Sequence, residues 1–158
     1  MSLTLRRVVT GHDANGKAKV LIDEQVSNVF SHRPGAEFSV IWSTDTLPAN
    51  NDGNEDPSGK KIGTTIDGGS VFRVVSFGPG VAPRNHRTDS IDYAVVMSGE
   101  IDMELDIGSV RLKAGDVLVQ RGTIHNWVNN GSEPCVIAFA LVSAEPVSVG
   151  GRTLQAEG

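Results

Sequence analysis

At 158 residues the chain has room for one domain with a real core, and its 39% hydrophobic and 21% charged content is ordinary for a globular protein. A net charge of −5 with no Lys/Arg cluster gives no footprint for nucleic acid or for an anionic membrane surface. The longest apolar run, Val136 to Val142, is far too short to cross a bilayer, and the absence of a basic-then-apolar leader implies a cytoplasmic protein.

The elements are read in chain order. Met1-Ser2-Leu3 and Glu157-Gly158 resemble vector scars and are set aside. Leu5 to Val9 and Lys17 to Ile22 are short strands, and the turn Asp13-Ala14-Asn15-Gly16 makes them a hairpin. Glu24 to Phe30 has the look of one short helical turn. Phe38, Val40 and Trp42 alternate in a further strand. Residues 44 to 61 are rich in Asn, Asp, Pro and Gly without period, which predicts a long loop near a pocket mouth.

Val71 to Phe77 is strand-like and ends in the turn Gly78-Pro79-Gly80. Ile91 to Met97 is a strand that turns at Ser98-Gly99-Glu100. Ile101, Met103 and Leu105 alternate with Asp102, Glu104 and Asp106, which predicts a half-buried strand with a wet acidic face. Val110 with Leu112, Val117 to Gln120, Asn126 to Val128 and Cys135 to Val142 complete the set. The single cysteine, Cys135, lies in the apolar run PCVIAFALV and reads as a buried, inert thiol. The tail after Val147 carries no strong signal. Short alternating segments separated by glycine turns, 18 glycines in all, describe an all-β sandwich or barrel.

Chemistry concentrates between Gly80 and Asn129, where His86, Asp92 and His125 sit among these strands. Two histidines and one carboxylate are the smallest set that grips a divalent metal and leaves positions open for substrate. The competing reading is a hydrogen-bonded polar cluster, in which Asp92 orients one histidine and Thr88 satisfies the other. His86 and Thr88 share parity in an extended segment, as do His125 and Trp127. Thr88, Gln120 and Trp127 are the candidate substrate-binding residues, Trp127 as an apolar wall. Arg121 reads as a surface arginine, and His12 and His32 as solvent-exposed. Phosphate loops, nucleophile elbows and paired Cys-x-x-Cys signatures are absent, so no nucleotide cofactor is implied.

The same fifty residues resemble the cupin superfamily. Its first motif, G-x5-H-x-H-x3-4-E-x6-G, is matched by Gly80, His86, Thr88, Asp92 and Gly99. Its second, G-x5-P-x-G-x2-H-x3-N, is matched by Gly115, Arg121 in the proline position, His125 and Asn129, with one residue deleted. The chain departs where Thr88 replaces the family's second histidine and Asp92 its glutamate, so it offers three protein ligands where the family has four.

The resemblance implies a single-domain cupin-type β-barrel (a double-stranded β-helix, or jelly roll) with an N-terminal strand extension. Residues 1–60 would form the extension and loop, 61–147 the barrel and 148–158 a tail. It also implies that His86, Asp92 and His125 point inward from different strands to hold Fe, Mn, Ni or Zn. The expected function is a metal-dependent enzyme of decarboxylase, lyase, isomerase or dioxygenase type acting on a small organic acid or phenolic compound. The alternative is a non-catalytic or metal-free small-molecule-binding or sensing cupin. An N-terminal edge strand that pairs across subunits would make it a homodimer.

Overall fold

The computed structural model describes residues 3–158. Among the described residues there are thirteen strands, and the one helical element is a 3-10 turn at Pro57–Gly59. β1 (Arg6–His12) and β2 (Ala18–Gln25) pair as the predicted hairpin, whose turn is held by Asp13 Oδ1 accepting from the Asn15 and Lys17 amides. β3 (Val29–Arg33) and β4 (Ala36–Thr44) follow, then β5 (Ser70–Phe77), β6 (Ser90–Ser98), β7 (Glu100–Glu104), β8 (Ser109–Lys113) and β9 (Val117–Arg121). β10 (Asn126–Val128), β11 (Cys135–Ser143), β12 (Val147–Val149) and β13 (Arg152–Leu154) complete the chain.

Two sheets enclose the core. One is six-stranded in the order β3-β4-β5-β11-β6-β9, and the other three-stranded in the order β10-β7-β8. The alternation in sequence explains why they face each other. Ile137, Phe139 and Leu141 on β11, with Ala94 and Val96 on β6, point inward from the large sheet, and Ile101, Met103, Leu112 and Trp127 point inward from the small one. Burying these side chains drives the closure, at about 1.5–3 kcal/mol for each large one. Cys135 is fully buried, and burial pushes its thiol up to about 11, as an inert core residue requires. The fold is therefore the all-β jelly roll that the resemblance implied.

Three local expectations need correction. Glu24 to Phe30 is not a helical turn: it spans the end of β2 and the start of β3. Asn28 holds the link extended, its Nδ2 donating to the Val40 and Ser58 carbonyls and its Oδ1 accepting from Ser39 Oγ. Leu105 lies beyond β7, in a turn closed by its amide donating to the Gly108 carbonyl. The tail is ordered into the β12-β13 hairpin.

The chain ends are also structural where they are described. Leu3 is buried with its amide on Glu37 Oε2, Glu157 exchanges two backbone hydrogen bonds with Arg87, and Gly158 packs on His86. Met1 and Ser2 lie outside the described residues.

The N-terminal hairpin is tied to the body by one buried residue. The Arg7 guanidinium donates to Asp56, Glu24 and the Ile41 carbonyl. This pairing holds the Asp56 carboxyl well below the usual carboxylate range. Asp56 also caps the 3-10 turn, so Arg7 fixes the start of the loop that runs from there to β5.

Candidate functional site

Local backbone pairing creates the site. His86 and His125 form an isolated antiparallel bridge, each amide donating to the other's carbonyl at 3.0 Å. Directly opposed residues place their side chains side by side. The two imidazoles accordingly stand 4.2 Å apart, centroid to centroid, and both residues are buried.

Each ring is pinned in the same way. Nδ1 of His86 bonds the Arg84 carbonyl at 3.0 Å, and Nδ1 of His125 bonds the Thr123 carbonyl at 2.9 Å. A carbonyl accepts only, so the proton sits on Nδ1 and the lone pair on Nε2. Neither Nε2 has a hydrogen-bond partner among the described residues. Burial first, then the neighbouring imidazole, lowers the His86 pKa to about 4. Burial followed by the charges of Arg84 and Arg33 lowers that of His125. Both rings are neutral bases at physiological pH.

They open onto a cavity of about 330 Å³, the size of a small-molecule site. Trp127, Phe38, Phe77 and Phe139 supply its apolar walls. Trp127 packs edge-on to His125 at 5.8 Å and against Phe77 at 5.6 Å, so it belongs to both the cavity lining and the core. Ile62, Gly63 and Thr64, just past the loop expected over 44 to 61, line the cavity, and no residue of 44 to 61 does.

Asp92 lines the same cavity from β6 and is buried. Its Oδ1 accepts from Ser90 Oγ at 2.6 Å, and Ser90 is in turn 2.8 Å from Thr88 Oγ1. Burial raises its pKa, opposed by the Ser90 bond and by Arg73. The serine, two residues back on the same face, holds this short side chain against its own strand. Among the described residues no group of three His, Cys, Asp or Glu side chains is gathered closely enough to hold one ion. The structure joins the two histidines and leaves the carboxylate in the cavity wall.

Two other candidates sit elsewhere. Thr88 does not line the cavity, because its hydroxyl is turned to Ser90. Gln120 is buried beneath the cavity wall, its Nε2 against Met103 Sδ at 3.5 Å and Thr123 Oγ1 at 3.4 Å. Arg121 is exposed, as expected. His32, expected in solvent, is exposed but also lines the cavity, its ring tilted against that of Phe38 at 4.9 Å.

Three arginines that the sequence reading passed over line the cavity: Arg33, Arg73 and Arg84. Arg73 had a legible signal. It shares strand parity with Val71, Val75 and Phe77, the inward face of β5. Arg84 is two residues from His86 in an extended segment and so has the same parity. Arg33 had none, because an irregular register between Phe30 and Arg33 turns it inward.

The family description "Cupin domain" matches residues 73–142. Among curated proteins, the chain is 35% identical to the cupin-domain-containing oxidoreductase fogC of Aspergillus ruber, over 94% of this chain and 77% of that one. It is 36% identical to phomopsin biosynthesis cluster protein C' of Diaporthe leptostromiformis, over 96% of this chain and 85% of the relative. Among solved structures, the Schizosaccharomyces pombe Cnp3 cupin domain superposes with a TM-score of 0.52 at 14% identity, covering 87% of each chain. A double-stranded β-helix protein of Klebsiella pneumoniae gives 0.52 at 20% identity, covering 83% of this chain and 92% of the other. These two likenesses concern the fold.

Proposed function

Because this chain belongs to the cupin family, we propose that it is a small-molecule enzyme of oxidoreductase type, acting on a small organic acid or phenolic compound in the cavity above His86 and His125. The observation that carries the reading is the pair of neutral imidazoles whose Nε2 atoms face the cavity with Nδ1 tied to the backbone. That arrangement is how protein histidines are oriented toward a metal. The printed names of the relatives, an oxidoreductase and a biosynthesis-cluster protein matched along nearly the whole chain, support the oxidative branch over decarboxylase, lyase or isomerase chemistry.

The donor chemistry fits a divalent ion such as Fe, Mn, Ni or Zn. His86 and His125 would hold it, and Asp92 would join them by turning away from Ser90. Bound there, the ion supplies a Lewis acid with open positions for substrate oxygens or dioxygen. The protein's own part is positional. The carbonyls of Arg84 and Thr123 fix the rings. Phe38, Trp127 and Phe139 exclude water from the reacting face. A cytoplasmic homodimer is part of the same proposal.

A second reading, a metal-free cupin that binds a small molecule, is favoured by the separation of Asp92 from the histidines. Elemental analysis of protein purified without chelators distinguishes the two. About one Fe, Mn, Ni or Zn per chain supports the enzyme. A metal-free barrel that stays folded and still binds ligand supports the binding module.

A further inference from the structure

The cavity carries more positive charge than its histidines explain. Arg33, Arg73 and Arg84 face it against a single carboxylate, Asp92. None of the three arginines forms a salt bridge among the described residues, although five such pairs exist elsewhere in the chain. Arg33 Nη1 and Arg73 Nε are buried and have no hydrogen-bond partner. Arg73 is otherwise held by Nη2 donating to the Gly63 carbonyl at 2.7 Å, and its guanidinium lies 5.0 Å over the Phe38 ring. Arg84 reaches Thr64 Oγ1 at 3.4 Å and the Gly158 oxygen at 3.1 Å.

Crowding three partly buried guanidinium groups around one carboxylate costs free energy. The strain appears in their acid–base behaviour: burial, then the charge of Arg84, lowers the Arg73 pKa to about 10, and burial also lowers those of Arg33 and Arg84. A fold keeps such a cluster when an anion completes it. The guanidinium fork matches a carboxylate in the plane, by two parallel N–H···O bonds.

We propose that Arg33, Arg73 and Arg84 form a carboxylate-binding subsite, and that the ligand is an aromatic carboxylic acid. Its carboxylate pairs with the guanidinium groups of Arg33 and Arg73, and its ring lies among Phe38, Phe139 and Trp127. The inference rests on the cavity assigned above as the substrate site but needs no metal. An aliphatic acid would leave the aromatic walls without a stacking partner, and a neutral phenol would leave the arginines unpaired.

Titration calorimetry on chelator-treated protein tests this, with cinnamate and its neutral amide, cinnamamide, as probes. Saturable cinnamate binding is expected, with the amide weaker by at least 30-fold. Arg73→Gln should cost cinnamate affinity about 30-fold or more, and Arg84→Gln, on a segment outside the strands, about tenfold. Circular dichroism and melting temperature check that each variant is folded. Arg121→Gln, at an exposed arginine outside the cavity lining, should bind cinnamate within about threefold of the parent, and because the protein is chelator-treated the outcome separates failure of this subsite from failure of the metal reading. Equal binding of acid and amide, no saturable cinnamate binding, or parental affinity in both arginine variants would overturn the proposal.

Discussion

Ser90→Ala is the most informative small perturbation of the site. It deletes one oxygen at a buried position and so removes the 2.6 Å bond to Asp92 Oδ1 with little change in packing. A hydrogen bond to an ionised group contributes about 1.5–3 kcal/mol, and the length of this one places it among the strong ones. A loss of about 2 kcal/mol corresponds to a melting temperature lower by about 4–8 °C for a chain of this size.

The effect should depend on pH with a definite sign. The folded-state pKa of Asp92 is raised by burial, so the folded protein binds this proton more tightly than the unfolded chain does. The resulting stabilisation is complete below the unfolded carboxylate value of about 3.9 and is lost as pH rises through the higher folded value. Removing Ser90 takes away a contact that favours the charged form and drives the folded value higher still. Urea denaturation of metal-free protein should therefore show the Ser90→Ala deficit largest near about pH 8 and shrinking toward about pH 4. A deficit under about 0.5 kcal/mol at all pH values, or one that grows on acidification, would refute this account of Asp92.

Three further outcomes are expected. Asn129→Ala should lower stability by about 2–4 kcal/mol, since its fully buried side chain donates to the Phe77 and Glu133 carbonyls and accepts from the Gly131 amide, each at 2.9 Å; chemical denaturation measures this, and a neutral result contradicts it. Nitrogen-15 NMR of the imidazoles should show both His86 and His125 neutral and protonated on Nδ1 at neutral pH, with His86 taking its second proton only near its value of about 4; an imidazolium at neutral pH would contradict the assignment. Sedimentation at micromolar concentration should show a dimer, because Tyr93, Val95 and Met97 on β6 and Val117 and Val119 on β9 leave the outer face of the large sheet apolar and exposed; a monomer alone would contradict it.

Much of the fold was legible because burial on one face writes a period of two into the sequence. β7 shows it in Ile101 and Met103 against Glu100, Asp102 and Glu104, whereas β11 was legible as an unbroken apolar run, of which Cys135, Ile137, Phe139 and Leu141 are the buried face. The glycine turns were legible for a related reason. Gly99 has φ of 74°, and a Cβ there would come within 2.3 Å of the Pro134 carbonyl oxygen. The β12-β13 hairpin was not legible, since it buries little and so leaves no alternation.

The site divides along similar lines. His86 and His125 were found because their residue type and motif position are distinctive, and the bridge between them is a consequence of strand pairing. The arginines were missed because a charged residue is read as exposed by default. Arg73 breaks that default visibly, on the inward parity of an apolar strand, whereas Arg33 depends on an irregularity in register that no sequence pattern records. The withdrawal of Asp92 toward Ser90 is a competition between one hydrogen bond and another partner, and such competitions are settled only in three dimensions.

The central claim is that the paired imidazoles are metal ligands. Its most direct test is titration of Mn²⁺ into chelator-treated protein, followed by calorimetry, for the parent chain and for His86→Ala and His125→Ala. The parent should bind about one ion per chain, and each substitution should weaken binding by about 100-fold or more while the far-ultraviolet spectrum stays that of the β-barrel. Binding of equal strength in the parent and both variants, or no binding in the parent, would contradict the claim.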